Sequence, residues 1–139
     1  MEEHENPHGL VSFELGGLHF EYDPAKQEKN ISKHGISFRA AARVFFDENY
    51  LEAIDEEHSI DEIRYDVIGD ASAAGGKGMR TVIGNVIQFR GDVRDILYVV
   101  YTERTDPHMY RQDEQVIRLI SARLANEFER GLYYGYGQI

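Results

Sequence analysis

VIRLISARLANEFERGL, residues Val116 to Leu132, is the stretch whose reading decides the fold. Val116, Ile117, Leu119 and Ile120 form a short, β-branched-rich apolar run with Arg118 inside it. A run so short and apolar reads as a buried strand rather than a helix. Ser121 then has the chemistry of an N-cap, because its hydroxyl can accept an orphan backbone N–H of a first helical turn. Leu124, Phe128 and Leu132 follow at i, i+4 and i+8, a stripe expected to pack back on the sheet. Two arginines fit this frame poorly. Arg118 interrupts an apolar strand, and Arg123 falls in the expected first helical turn, where a cation opposes the helix dipole. A phosphate at the helix N-terminus would relieve that conflict. Pairing with carboxylates such as Glu103 and Glu127 would relieve it equally, and the residues alone leave both readings open.

The 139 residues suit one domain with a real core. A hydrophobic content of 42%, with nine Tyr and seven Phe, is that of a globular chain. No apolar run approaches about 18 residues, so no transmembrane helix is expected. The opening MEEHENPHG is acidic and lacks an apolar core, which argues against a signal peptide. With no cysteine, disulfides and thiolate zinc sites are excluded, and a cytoplasmic location fits. The net charge of −10 favours basic partners and opposes nucleic acid on average. That charge is uneven: residues 1–19 and 20–60 each carry −4, whereas 61–139 carry only −2 and leave room for local basic patches.

Val11 to Asp23 alternates on both sides of Gly16-Gly17, which predicts a hairpin. Asp23-Pro24 starts a helix that Gly35 ends, by N-cap, first-position proline and left-handed C-cap. Lys26, Lys29 and Lys33 line one face of it, either as a solvated surface or as a track for phosphates. Ser37 caps a second helix whose Phe38, Ala41, Ala42 and Phe45 face the core. Strands are expected at Tyr50 to Ile54, Ile63 to Gly69, Thr81 to Phe89 and Val93 to Thr102, with loops at Ala71 to Gly78 and Thr105 to Glu114. Gly131 to Ile139, with Tyr133, Tyr134 and Tyr136 among glycines, reads as a flexible or docked tail. The whole is α+β: a mainly antiparallel sheet with two N-terminal helices and a C-terminal helix. The Val116 to Ile120 strand is expected to pair with Ile96 to Thr102, bringing Glu103 beside Arg118.

FEYDPAK (Phe20 to Lys26), KHGISF (Lys33 to Phe38), ARVFFD (Ala42 to Asp47), DEEHS (Asp55 to Ser59), RYDVIG (Arg64 to Gly69), VVYTER (Val99 to Arg104) and IRLISAR (Ile117 to Arg123) occur in that order. Together they resemble the BrnT toxins of bacterial toxin–antitoxin pairs, small ribonucleases with a RelE-like fold. The resemblance covers roughly residues 20–130, leaving 1–19 as an N-terminal extension, partly hairpin strand, and 131–139 as the tail. It implies an RNA-cleaving toxin neutralised by a BrnA-like antitoxin with a ribbon-helix-helix part, operator DNA being reached only through that antitoxin. A homodimer or a 2:2 complex would fit such a pair. The family's functional positions fall on Glu103, Arg118 and Arg123, and Tyr22 stands where tryptophan is usual. The chain departs from the family in residues 1–19, in longer 71–95 and 105–115 segments, and in being acidic where members are commonly basic.

RNA supplies its own nucleophile, the 2′-OH, so cleavage needs no metal or other cofactor. It needs a base, charge stabilisation for the phosphorane and an acid for the leaving 5′-oxygen. Glu103 is the candidate base, Arg118 and Arg123 the bidentate phosphorane clamp. His34, or Lys33 beside it, is the candidate acid, since a helix C-terminus favours the protonated imidazole. His34 as a mere helix cap is the plain alternative. Tyr22, Lys26, Lys29 and Lys33 are the candidate substrate contacts. His58 reads as a surface residue, and no His/Asp/Glu set repeats at a metal-ligand interval. Two functions follow: an endoribonuclease toxin, favoured by Glu103, Arg118 and Arg123 together, or a non-catalytic partner-binding relative, favoured by the acidic charge.

Overall fold

The alternation around Gly16-Gly17 does fold into a hairpin: β2 (Val11–Leu15) and β3 (Leu18–Tyr22) pair antiparallel from Val11–Tyr22 to Leu15–Leu18. Both glycines take positive φ, 57° and 88°, and a Cβ on Gly16 would come within 2.5 Å of the Phe46 ring. The computed structural model describes residues 3–72, 96–105 and 115–135. Around the hairpin lie β1 (His4–Glu5), β4 (Leu51–Ile54), β5 (Arg64–Asp70), β6 (Ile96–Thr105) and β7 (Gln115–Leu124). They form one seven-stranded sheet in the order β1-β2-β3-β7-β6-β5-β4. The expected strand at Thr81 to Phe89 lies outside the described residues, as do most of the expected loops at Ala71 to Gly78 and Thr105 to Glu114.

The architecture is α+β, but the sheet is mixed: β3 and β7 run parallel, the remaining neighbours antiparallel. The parallel pair arises because a long crossover brings the chain back beside the N-terminal hairpin instead of beyond the last hairpin edge. Helix α1 (Pro24–His34) begins and ends as its sequence predicts, Asp23 accepting from Ala25 N–H and Gly35 turning left-handed at φ 74°. The second helix is shorter than expected. Ser37 caps only one turn, α2 (Phe38–Ala41), which tightens into a 3-10 helix over Ala42–Phe46.

The reading of the C-terminal end needs correction. Ser121 caps nothing; β7 continues through it to Leu124, and α3 (Glu127–Tyr134) starts from Asn126, which forms a reciprocal capping box with Glu129. Arg123 is therefore a strand residue. The strand wins because Val99 and Leu97 extend β6 opposite Ala122 and Leu124, so pairing satisfies backbone that a helix start would leave. Leu124 and Phe128, expected to pack inward, are 54% and 67% exposed. Gly131 to Tyr134 belong to α3 rather than to a tail, and the Tyr133 hydroxyl donates to Asp47 at 2.5 Å.

The main core lies on one sheet face, where Phe13, Phe20, Tyr22, Val67, Val99, Tyr101, Ile117 and Leu119 meet Ile36, Phe38 and Val44. A smaller cluster of Ile68, Ile96 and Ala125, joined by Tyr98, Leu132 and Tyr133, puts α3 against the other face. One polar side chain fixes α1 to the sheet. β3 ends at Tyr22, opposite Leu119, so β7 runs on with one edge unpaired. Asn30 closes that edge as a strand would: its Oδ1 accepts from Ala122 N–H at 3.1 Å, and its Nδ2 donates to Ala122 C=O at 2.8 Å and to Ile36 C=O at 2.9 Å.

Replacing Asn30 with Leu strands all three of these buried backbone groups. The expected loss is roughly 2–4 kcal/mol, read as a fall in denaturant midpoint at unchanged slope. An unchanged midpoint would show that Asn30 is not what closes β7.

Candidate functional site

Glu21, Arg104 and Arg118 come from three adjacent strands and meet on the sheet face opposite the main core. The hairpin alternation sends Phe20 and Tyr22 inward and Glu21 outward. Parallel pairing then sets Glu21 beside Arg118, and Arg118 lies opposite Thr102, two residues from Arg104. Glu21 has no exposed surface. Its carboxylate accepts from Arg104 Nε at 2.7 Å and Nη2 at 2.5 Å, from Arg118 Nε at 2.9 Å and from Asn6 Nδ2 at 3.0 Å. Burial alone would raise this carboxyl; the two guanidiniums outweigh it and hold it below 4.5. Both arginines stay partly exposed, 22% for Arg104 and 35% for Arg118.

The expected Glu103–Arg118 contact does not form. Glu103 stands opposite Ile117, so it projects from the core side of the sheet while Arg118 projects from the other. The two positions are one residue out of step, which reverses the face. Glu103 is exposed there, close enough to Tyr50 and Glu52 to disfavour their charged forms. Tyr22 is also not a surface contact. It is 3% exposed and packed edge-on against Phe38, and its hydroxyl donates to Glu3 at 2.9 Å. Burial and that carboxylate push the hydroxyl up to about 12.

Arg123 shares the face of Arg118, which strict alternation would forbid for positions five apart. A bulge in β7 restores it: Val100 opposes Ser121 and Tyr101 opposes Leu119, so Ile120 is an extra residue. The Arg123 guanidinium lies over the Tyr98 ring at 4.3 Å and pairs with both Glu129 oxygens at 2.8 Å. Roughly 15 Å of strand separates it from Arg118, and their carboxylates draw them apart, so the two do not clamp one phosphate. Two N–H groups of Arg123, on Nε and Nη2, are left after its bonds to Glu129 and Leu124.

His34 ends α1 near Arg123. Its imidazole is lowered from 6.5 by partial burial, Lys33 and Arg123, the reverse of the expected dipole effect. Burial first, and then the two cations, outweigh the helix end. Lys26, Lys29 and Lys33 are all exposed along α1. His58 is exposed as read, and its Nδ1 sits 3.0 Å from Asp55 Oδ2. Sequence reasoning missed Glu21 and Arg104. Their signal was periodic: both fall on the outward phase of strands whose inward phase is Phe20, Tyr22 and Tyr101.

The folded pKa of Glu21 is depressed, so its contribution is complete above the unfolded value and fades as pH falls through the folded one. Glu21→Gln should cost on the order of 3 kcal/mol at neutral pH and flatten the loss of stability below about pH 4.5. Chemical denaturation across pH measures both, and an unaltered acid limb would show that this carboxylate is not the titrating group.

No curated protein matches the chain. A family model described as "Ribonuclease toxin, BrnT, of type II toxin-antitoxin system" matches residues 22–129, from the end of β3 to the first turn of α3. The match spans most of the sheet and all of α1 and α2, and the chain belongs to this BrnT family of ribonuclease toxins.

Proposed function

We propose that this chain is a metal-independent endoribonuclease whose RNA lies across the sheet face that carries Arg104, Arg118 and Arg123. One observation carries the reading: two partly exposed guanidiniums are fixed on a fully buried carboxylate, with no apolar role for either. An arginine pair oriented in this way costs little reorganisation when a phosphate arrives. In the proposed mechanism Arg118 and Arg104 hold one phosphate, and Arg123 presents its two remaining N–H groups to the scissile one. His34, lowered and mostly neutral at pH 7, takes the 2′-OH proton, so its role is base rather than acid. The 2′-oxygen attacks phosphorus, the P–O5′ bond breaks, and Lys33 protonates the departing 5′-oxygen. The products are a 2′,3′-cyclic phosphate and a 5′-OH. Lys26 and Lys29 continue the phosphate path along α1.

Glu103 has no part in this site, because it lies on the other face. The wider reading follows the family: a RelE-like fold, cytoplasmic action, and neutralisation by a BrnA-like antitoxin that alone touches operator DNA. Such a complex is a homodimer-based 2:2 assembly or a simple pair.

Purified, antitoxin-free chain should cleave RNA in excess EDTA, leave cyclic phosphate ends, and spare a strand with 2′-deoxyribose at the cut. Arg123→Ala and Arg118→Ala should each slow cleavage by roughly 10²–10³ while the chain stays folded. Glu103→Gln should leave the rate unchanged. The acidic limb of the kcat/KM profile should fall below the ordinary histidine value of 6.5 and disappear in His34→Gln. Wild-type chain that leaves RNA intact would make this a non-catalytic, partner-binding relative instead.

A further inference from the structure

β4 closes the described sheet at one end, and its chemistry differs from the rest of the molecule. All four of its residues are exposed, and among the described residues only β5 pairs with it. An edge strand presents a row of backbone N–H and C=O groups with no partner. Large apolar side chains surround this edge: Ile60 is 85% exposed, Ile54 and Ile63 54% each, and Leu51 and Tyr50 37% each. The same stretch, residues 47–63, contains no lysine or arginine. Glu48, Glu52, Glu56, Glu57, Asp61 and Glu62 are exposed along it. Arg64 reaches in from β5 to Glu62 at 3.5 Å. Glu52 accepts from the Tyr101 hydroxyl, and burial and then the charge of Glu103 push its carboxyl up.

We propose that this edge is the docking site for a basic, extended segment of the antitoxin, which adds as a strand beside β4. The backbone edge supplies the hydrogen bonds, the apolar rim takes alternate side chains, and the carboxylates take the lysines or arginines between them. The charge selects among occupants. A second copy of this chain would set two acidic edges against each other, and RNA would be repelled. The inference takes its source of the segment from the family's antitoxin, but not the catalytic roles given to Arg118, Arg123 and His34. Neutralisation would then act from the far side of the sheet, leaving the arginine face to be closed by other parts of the antitoxin.

The first probe is a nine-residue peptide alternating lysine with valine, added to the full chain. Binding should slow amide exchange at Leu51 to Ile54, weaken as salt rises, and fail for the peptide with glutamate in place of lysine. N-methylation of alternate peptide amides should abolish it, because strand addition needs those groups. Ile54→Lys and Leu51→Lys should weaken it on the order of tenfold while RNA cleavage by the free chain stays as in wild type. The same two variants should lose co-purification with the co-expressed antitoxin. Any of three results overturns the proposal: β4 amides already all protected in the free chain, equal binding of the methylated peptide, or an antitoxin footprint that leaves Leu51 to Ile54 unchanged. A chain that binds antitoxin along β4 yet cleaves no RNA overturns only the nuclease reading.

Discussion

The Glu21 carboxylate is the constraint around which the middle of the sheet is arranged. A charge with no exposed surface is tolerable only when cations and hydrogen bonds replace the water it has lost. Here the replacement must come from β6 and β7 together, so the register of three strands is locked to one side chain. Slipping β7 by one residue along β3 would turn Arg118 toward the core and leave Glu21 with Arg104 alone. A buried carboxylate under two arginines is a poor source of stability compared with an apolar cluster of similar volume. Its retention at the centre of a sheet makes sense if the arginines have work to do on their exposed side.

α1 carries the remaining groups of the proposed site, and it is held to β7 by polar pairing as well as by packing. Asn30 stands in for a missing strand, so the helix has a register against the sheet in the way a strand has. That places His34 and Lys33 four and three residues further on, beside the end of β7 where Arg123 emerges. Arg123 is held in turn by Glu129, whose carboxyl also completes the α3 cap. The groups proposed to act on one phosphate therefore come from a helix and a strand whose relative position is fixed by hydrogen bonds, not by a flexible loop.

Much of the fold was legible because its signals are local. Gly16-Gly17, Asp23-Pro24, Gly35 and Ser37 each dictate a backbone conformation within a few residues, and each holds. The end of β7 was not legible, because Ser121 carries a capping signal as good as that of Asn126. What decides between them is pairing with β6, some twenty residues away. The site was only partly legible for the same reason. Arg118 and Arg123 could be singled out as arginines without an apolar role, yet their partners, Glu21 and Glu129, depend on a parallel register and on the true start of α3. Glu103 was misplaced by one step of alternation, an error that no composition or motif would reveal. Tyr22 shows the reverse case: its motif position suggested a substrate contact, and the hairpin phase buries it.

The bulge at Ile120 has a consequence for how this strand can change. Counting from either end of β7, inward and outward positions alternate, but the two counts disagree by one, and Ile120 absorbs the mismatch. Flattening the bulge at unchanged length would turn Arg123 toward the core, whereas deleting Ile120 would leave Arg123 four positions from Arg118, on the same face of a regular strand. A change of length away from Ile120 has no such extra residue to absorb it and would reverse the facing of every position beyond it. β7 can therefore lose one syllable at Ile120 and keep its sense, and a related chain that lacks the extra residue carries its second cation on this face four positions after the first.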